Sequence, residues 1–287
     1  MRLTAWLGRY PLSGYFALAF GISWGGIAIV LGATGFDLVE MRPVDTGLIF
    51  LSMLLGPSTS GLTLTALLDG REGIRRLRSR LSHWRVGLRW YAVALMTTPL
   101  LLLATLWPLS VFVSTAFTPR FDWSLFAIGL VAGSFEEIGW TGFATPRLLA
   151  RQRLRNAGLS LGLAWAMWHL PVDFRQNFNT MGMAWMLEFA IFYAAVLGAY
   201  RVLMTWVYSN TQSLLLGVLM HASYTGWLFV LYPATTFQQG LVWQTALAVA
   251  MWIVVAVVLG VLSRRWPVVL DKPMVVETTD KRRKYRR

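Results

Sequence analysis

Apolar residues in this chain do not alternate with polar ones over short periods. They run in blocks of about twenty, the length that carries a helix across a hydrocarbon layer of about 30 Å. Eight blocks stand out, at roughly 12–34, 46–68, 90–115, 123–145, 157–173, 183–207, 211–231 and 241–263. The pattern predicts an all-α, polytopic transmembrane bundle of eight spans forming a single domain over 1–263. Polar residues around 137 and 169 predict short or broken helices there. The first block is longer than a signal-peptide core and lacks a small-residue cleavage site, so it reads as a retained anchor.

Two stretches depart from the pattern. In "REGIRRLRSRLSHWRVGLRW", Ile74, Leu77, Leu81, Trp84 and Leu88 recur at helical spacing with arginines between them. This predicts an amphipathic helix over about 71–89, lying in the membrane interface, with a substrate-docking surface as the alternative. The tail 264–287 ends in "KRRKYRR", a polybasic run expected to be disordered and drawn to anionic headgroups.

Composition agrees: mean hydropathy is +0.54 and 14% of residues are charged, against about 25% in soluble domains. The absence of cysteine excludes disulfides and thiolate metal sites. A net charge of +13 would suggest nucleic acid in a soluble chain. Here the charge sorts by side instead. With the N-terminus inside and eight alternating spans, 23 of the 26 basic residues face inward, Arg201 among them at a helix end. Arg42, Arg120 and Arg175 face outward. This asymmetry predicts cytoplasmic N- and C-termini, basic loops that touch anionic headgroups, and no nucleic-acid partner. The expected location is the cell membrane of a prokaryote.

Ionisable groups at membrane depth carry the candidate chemistry. Of 13 acids, only Glu136, Glu137 and Glu188 fall inside expected spans; the others, Asp173 included, fall in expected loops, helix ends or the tail. His169 and His221 also lie inside spans, whereas His83 is interfacial. An acid at a helix centre costs about 2.5–3.5 kcal/mol on insertion scales, so an adjacent glutamate pair is costly as mere packing. Gly158, Gly162, Trp165 and His169 share one helical face, as do Ser213, Gly217, His221 and Thr225. Gly133, Gly139 and Gly142 surround the glutamates. Small residues let helices approach closely, so the three helices can converge with Glu136, His169 and His221 around a wet cavity. Adjacent helical residues point about 100° apart, so Glu137 is read as a structural partner to a buried Trp N–H or backbone donor. Bland readings stand beside each residue: His221 as a satisfied core histidine, His169 before Pro171 capping a broken helix, and Glu188 pairing within the bundle or near the outer interface.

The motifs "EEIGWT" at 136–141, "WAMWH" at 165–169 and "HASYT" at 221–225 resemble those of the CPBP family. That family comprises CAAX prenyl proteases and bacteriocin-processing proteases, including the Ras-converting CAAX endopeptidase. The likeness covers roughly residues 50–226 and places a protease core at about 123–231. It implies an intramembrane endopeptidase acting on a membrane-associated or prenylated, CAAX-type peptide or lipidated protein. Glu136 would activate water, His169 and His221 would position it or stabilise the oxyanion, and Glu137 would support them. If a metal is bound, His169, His221 and Glu136 would hold it, with zinc the family's usual attribution; a metal-free, glutamate-driven hydrolysis fits the same residues. Three positions depart from the family pattern. Thr141 stands for an arginine, Trp165 for a phenylalanine and Thr225 for an Asn or Asp. Arg147 is the expected substitute for the missing arginine. Two alternatives remain: a catalytically weakened binding or immunity protein, and a proton-coupled transporter, which would require an inverted repeat that the sequence does not show.

Overall fold

The computed structural model describes residues 3–34 and 42–262, with the side chains of residues 3, 175, 176, 179, 180, 261 and 262 outside the described part. The basic tail expected over 264–287 lies outside the described residues. Helices account for almost all of the chain: α1 (Leu3–Arg9), α2 (Pro11–Ala33), α3 (Pro43–Leu81), α4 (Leu88–Phe112), α5 (Phe126–Gly139), α6 (Thr145–Leu149), α7 (Leu154–Met181), α8 (Trp185–Phe189), α9 (Gly198–Thr211), α10 (Leu214–Leu231) and α11 (Phe237–Val257). π-helical turns at Trp140–Ala144 and Ala190–Leu197 join α5 to α6 and α8 to α9. Among the described residues there is no strand. The protein is an all-α polytopic bundle.

Local chemistry sets the helix starts. Pro11 and Pro43 occupy first-turn positions, where a missing N–H costs nothing. Ser213 Oγ accepts from the Leu216 N–H to begin α10. Thr236 and Gln239 form a reciprocal capping box at the start of α11.

Six helices are long and apolar enough to cross a membrane: Pro11–Ala33, Pro43–Leu81, Leu88–Phe112, Gly182–Thr211, Leu214–Leu231 and Phe237–Gly260. By that measure the expected eight becomes six. The two expected spans not among them, 123–145 and 157–173, carry the glutamate pair and the polar run from His169 to Asn177. Their polarity lowers their hydropathy, yet both are helical. The chain stays helical from Phe126 through the π-turn to Leu149, and α7 continues through Pro171 to Met181. Neither helix is broken, so His169 does not cap one, and Asp173 lies inside α7, buried, rather than in a loop.

The basic amphipathic segment is also shorter than expected. It continues α3 past a kink at Gly70, where φ is +63°, a backbone that favours glycine, and it ends at Leu81. Trp84 lies in the connection, while Leu88 opens α4.

Close backbone approach sets the helix pairing around the glutamates. A Cβ on Gly133 would meet the Val218 carbonyl of α10 at 2.7 Å, and one on Gly139 would meet the Pro57 carbonyl of α3 at 2.2 Å. Helix α5 is therefore wedged between α3 and α10 with no room for a side chain on either face. On the far side, α7 packs against α9. The two pairs bring α5, α7, α9 and α10 around one buried polar centre.

Candidate active site

The glutamate pair sits on the last turn of α5, just before the π-turn, and both side chains are buried. Extra-residue turns of this kind recur at functional sites. Being adjacent, the two carboxylates point in different directions and meet different partners.

Glu137 is fully enclosed. Both of its oxygens accept from the Arg201 guanidinium at 2.9 Å. Its Oε1 also accepts from His221 Nδ1 at 2.8 Å, and its Oε2 from the Thr141 hydroxyl one turn on. A two-pronged arginine contact fixes a carboxylate in orientation as well as charge. Because that carboxylate can only accept, His221 carries a proton on Nδ1 and turns Nε2 toward Glu136.

Glu136 is held by indoles. Its Oε2 accepts from Trp165 Nε1 at 3.0 Å and Trp140 Nε1 at 3.3 Å. Its Oε1 lies 4.0 Å from His221 Nε2. The expectation that Glu137 takes a buried Trp N–H is corrected: Glu136 takes two, and Glu137 takes arginine, histidine and threonine.

Trp165 organises this cluster. Beyond its bond to Glu136, its ring lies 5.0 Å from the His221 ring, 5.7 Å from His169 and 4.2 Å from the Arg201 Cζ. Arg201 over an indole face is a cation–π contact. The Trp140 indole is in turn set by Tyr15 of α2, edge-on at 5.5 Å.

His169 stands beside the cluster and makes no direct bond to either glutamate. Its Nδ1–H donates to the Trp165 carbonyl at 2.9 Å, because a carbonyl only accepts. Nε2 is left as its remaining polar atom. Its ring packs against Trp168 at 4.8 Å and Tyr193 at 5.1 Å.

Thr225, one turn beyond His221, is partly buried, and among the described residues no hydrogen bond joins it to the site. Arg147 does not replace the absent motif arginine. It pairs with Asp69 at 2.6 Å, donates to the Phe143 carbonyl and lies over the Phe143 ring. Its position three residues past the π-turn turns it away from the pair.

The missing cation comes from α9. Arg201 is fully buried, so the sequence reading that placed it at an inner helix end is corrected. One signal pointed to it: it is flanked by the apolar run 190–200 and by Val202, Leu203 and Met204. An arginine so placed needs an acid partner, and α5 supplies it.

A second polar group lies near His169. Asp173, one turn further along α7, accepts from Asn177 Nδ2 at 2.8 Å, from Trp185 Nε1 and from the Tyr193 hydroxyl. Glu188 is buried and accepts from Gln244 Nε2 at 3.0 Å. It pairs within the bundle. Its Oε2 and Gln244 Oε1 have no partner among the described residues.

Among the described residues no three His, Cys, Asp or Glu side chains form a group that could hold a metal ion. His169 gives its Nδ1–H to a carbonyl, which leaves its Nε2, and the two indoles leave Glu136 its Oε1.

Comparison with known proteins gives two likenesses. A family model described as "Type II CAAX prenyl endopeptidase Rce1-like" matches residues 118–227, the stretch that holds every residue of the cluster except Tyr15. A protein named CAAX prenyl protease 2 from Methanococcus maripaludis is 28% identical over 99 residues, which is 32% of this chain and 35% of that protein. The chain thus aligns with about a third of that relative's length. Both matches support the resemblance to the CPBP and CAAX proteases carried by the three motifs.

Proposed function

We propose that the cluster is the active site of an intramembrane endopeptidase, in which Glu136 activates water to cut a peptide bond of a membrane-associated or prenylated, CAAX-type peptide. One observation carries this reading: Glu136 Oε1 and His221 Nε2 stand 4.0 Å apart. That gap is too long for a direct hydrogen bond and short enough for one water to bridge. A water about 2.8 Å from each would do so, leaving its own lone pair for a carbonyl carbon.

The steps follow from the bonds already formed. Trp165 and Trp140 occupy Glu136 Oε2, so Oε1 is the oxygen left to take the water proton. As the water oxygen adds to the carbonyl carbon, Glu136 becomes the carboxylic acid and the carbonyl oxygen becomes an oxyanion. His169, whose Nδ1–H is given to the Trp165 carbonyl, keeps Nε2 as an acceptor beside the cluster and helps to position the water. When the C–N bond breaks, the proton held by Glu136 passes to the leaving amine. Glu137 stays an anion throughout, because Arg201 and His221 hold it; its part is to fix the His221 tautomer. No step is routed through a metal.

Arg201 also answers the departure at Thr141. The pair keeps its guanidinium, delivered from another helix, while the Thr141 hydroxyl takes one further carboxylate lone pair. This favours a working hydrolase over the weakened-scaffold alternative. The orientation, with both termini in the cytoplasm of a prokaryote and basic loops on anionic headgroups, belongs to the same proposal and rests on the arginine asymmetry.

The test is hydrolysis of a prenylated CAAX peptide by the purified protein in proteoliposomes, wild type against Glu136→Gln. Loss of turnover by at least about 100-fold is expected, as for removal of a general base. Undiminished turnover in the variant would overturn the reading.

A further inference from the structure

Arg80 is a cation in the wall of the bundle without an acidic partner in hydrogen-bond contact. One Nη donates to the Tyr208 hydroxyl at 2.7 Å and the other to the Gly142 carbonyl at 2.9 Å. Neither acceptor is an acid, and its buried Nε has no partner among the described residues. Arg147 approaches the same π-turn from its other end, through the Phe143 carbonyl, with its charge shared with Asp69. A half-buried guanidinium with an N–H to spare on each Nη and no acid in hydrogen-bond contact among the described residues is a site for an anion, and a planar carboxylate can take both.

Its level in the bundle narrows the choice. Gly142 follows Glu136 by six residues, about 9 Å along a helix axis. Tyr208 follows Arg201 by seven residues on the same face of α9, about 10 Å. Two independent helices therefore put Arg80 about 10 Å from the reacting centre. A C-a-a-X sequence stands at the very end of its chain. Whichever bond in that motif is cut, the terminal carboxylate lies at most three residues away, about 10 Å when extended.

We propose that Arg80 binds the free C-terminal carboxylate of the substrate, so that the enzyme measures the distance from the cut bond to the end of the chain. This rests on the proteolytic reading above and adds to it a preference for free carboxy termini. A lipid phosphate offers the same anionic chemistry, and the experiment separates the two.

The experiment compares one prenylated peptide as free acid and as C-terminal amide, at matched concentrations, in vesicles of neutral lipid and of neutral lipid with anionic lipid added. Wild type is expected to favour the acid by about 10- to 100-fold in kcat/KM, the scale of one charge-assisted contact. Arg80→Gln is expected to bring the ratio of acid to amide close to one, and Arg80→Lys to keep part of it, as a point charge without the fork. Equal cleavage of acid and amide by wild type overturns the proposal without any variant, and leaves the endopeptidase reading standing. An acid preference that survives Arg80→Gln also overturns it. If Arg80→Gln slows both peptides alike, and only where anionic lipid is present, the occupant is a headgroup phosphate and the proposal fails. Cleavage of neither peptide by wild type removes the endopeptidase reading, and this inference with it.

Discussion

Two pairs of buried carboxylates among the described residues, Glu136 with Glu137 and Asp173 with Glu188, are provided for differently. Around Glu136 and Glu137 every oxygen but one is met by a charged, indole, imidazole or hydroxyl donor, and a buried arginine balances the charge. Around Asp173 and Glu188 the donors are neutral, and one Glu188 oxygen has no partner among the described residues. Glu136 Oε1 is open in a place where an imidazole nitrogen of His221 faces it at 4.0 Å. Glu188 Oε2 is open beside an amide oxygen that is equally unmet. An open acceptor signals chemistry only when fixed neighbours make it useful. By that standard the first group fits the proposed site and the second is a fastening between α7, α8 and α11.

This contrast can be broken. The largest effect is expected from Glu136→Gln, which removes about 100- to 10,000-fold in turnover while the unfolding transition in detergent stays close to that of wild type. A comparable turnover loss from Glu188→Gln would erase the distinction between the groups. Next comes Arg201→Ala, expected to destabilise by about 3–5 kcal/mol because it strands the Glu137 charge. The double change Arg201→Met with Glu137→Gln should recover much of that stability but not activity, as read by denaturant unfolding and peptide cleavage side by side. Asp173→Asn replaces an acceptor of three hydrogen bonds with a group that can accept at only one end, and should cost about 1–3 kcal/mol. The smallest effect belongs to Glu188→Gln. Its new N–H₂ can donate to the unmet Gln244 oxygen, so stability should change by less than about 1 kcal/mol, or rise slightly.

The blocks of apolar residues were enough to read an all-helical membrane bundle, because a bilayer admits few other solutions. Glu136, Glu137, His169 and His221 stood out for a related reason: ionisable groups are too costly there to be incidental. Arg201 did not stand out, since an arginine near a block boundary reads as a topology marker, and only the packing of α9 against α7 shows it turned inward. Asp173 was missed because Pro171 suggested a helix end, whereas α7 carries the proline and buries the next turn. Partner choice was the least legible part. Which carboxylate takes the indoles and which takes the guanidinium depends on the rotation of α5, and sequence spacing gives only the 100° between them.

The glycine contacts of α5 have a consequence for how this centre comes together. With carbonyls pressed against Gly133 from α10 and against Gly139 from α3, the helix has one permitted axial offset relative to each neighbour. A slip of one residue, about 1.5 Å, would bring a bulky side chain against those carbonyls before it moved Glu137 out of reach of His221. The seam therefore indexes the helices during assembly. Once the backbones seat, angstrom-scale alignment of the reacting groups follows without any further search.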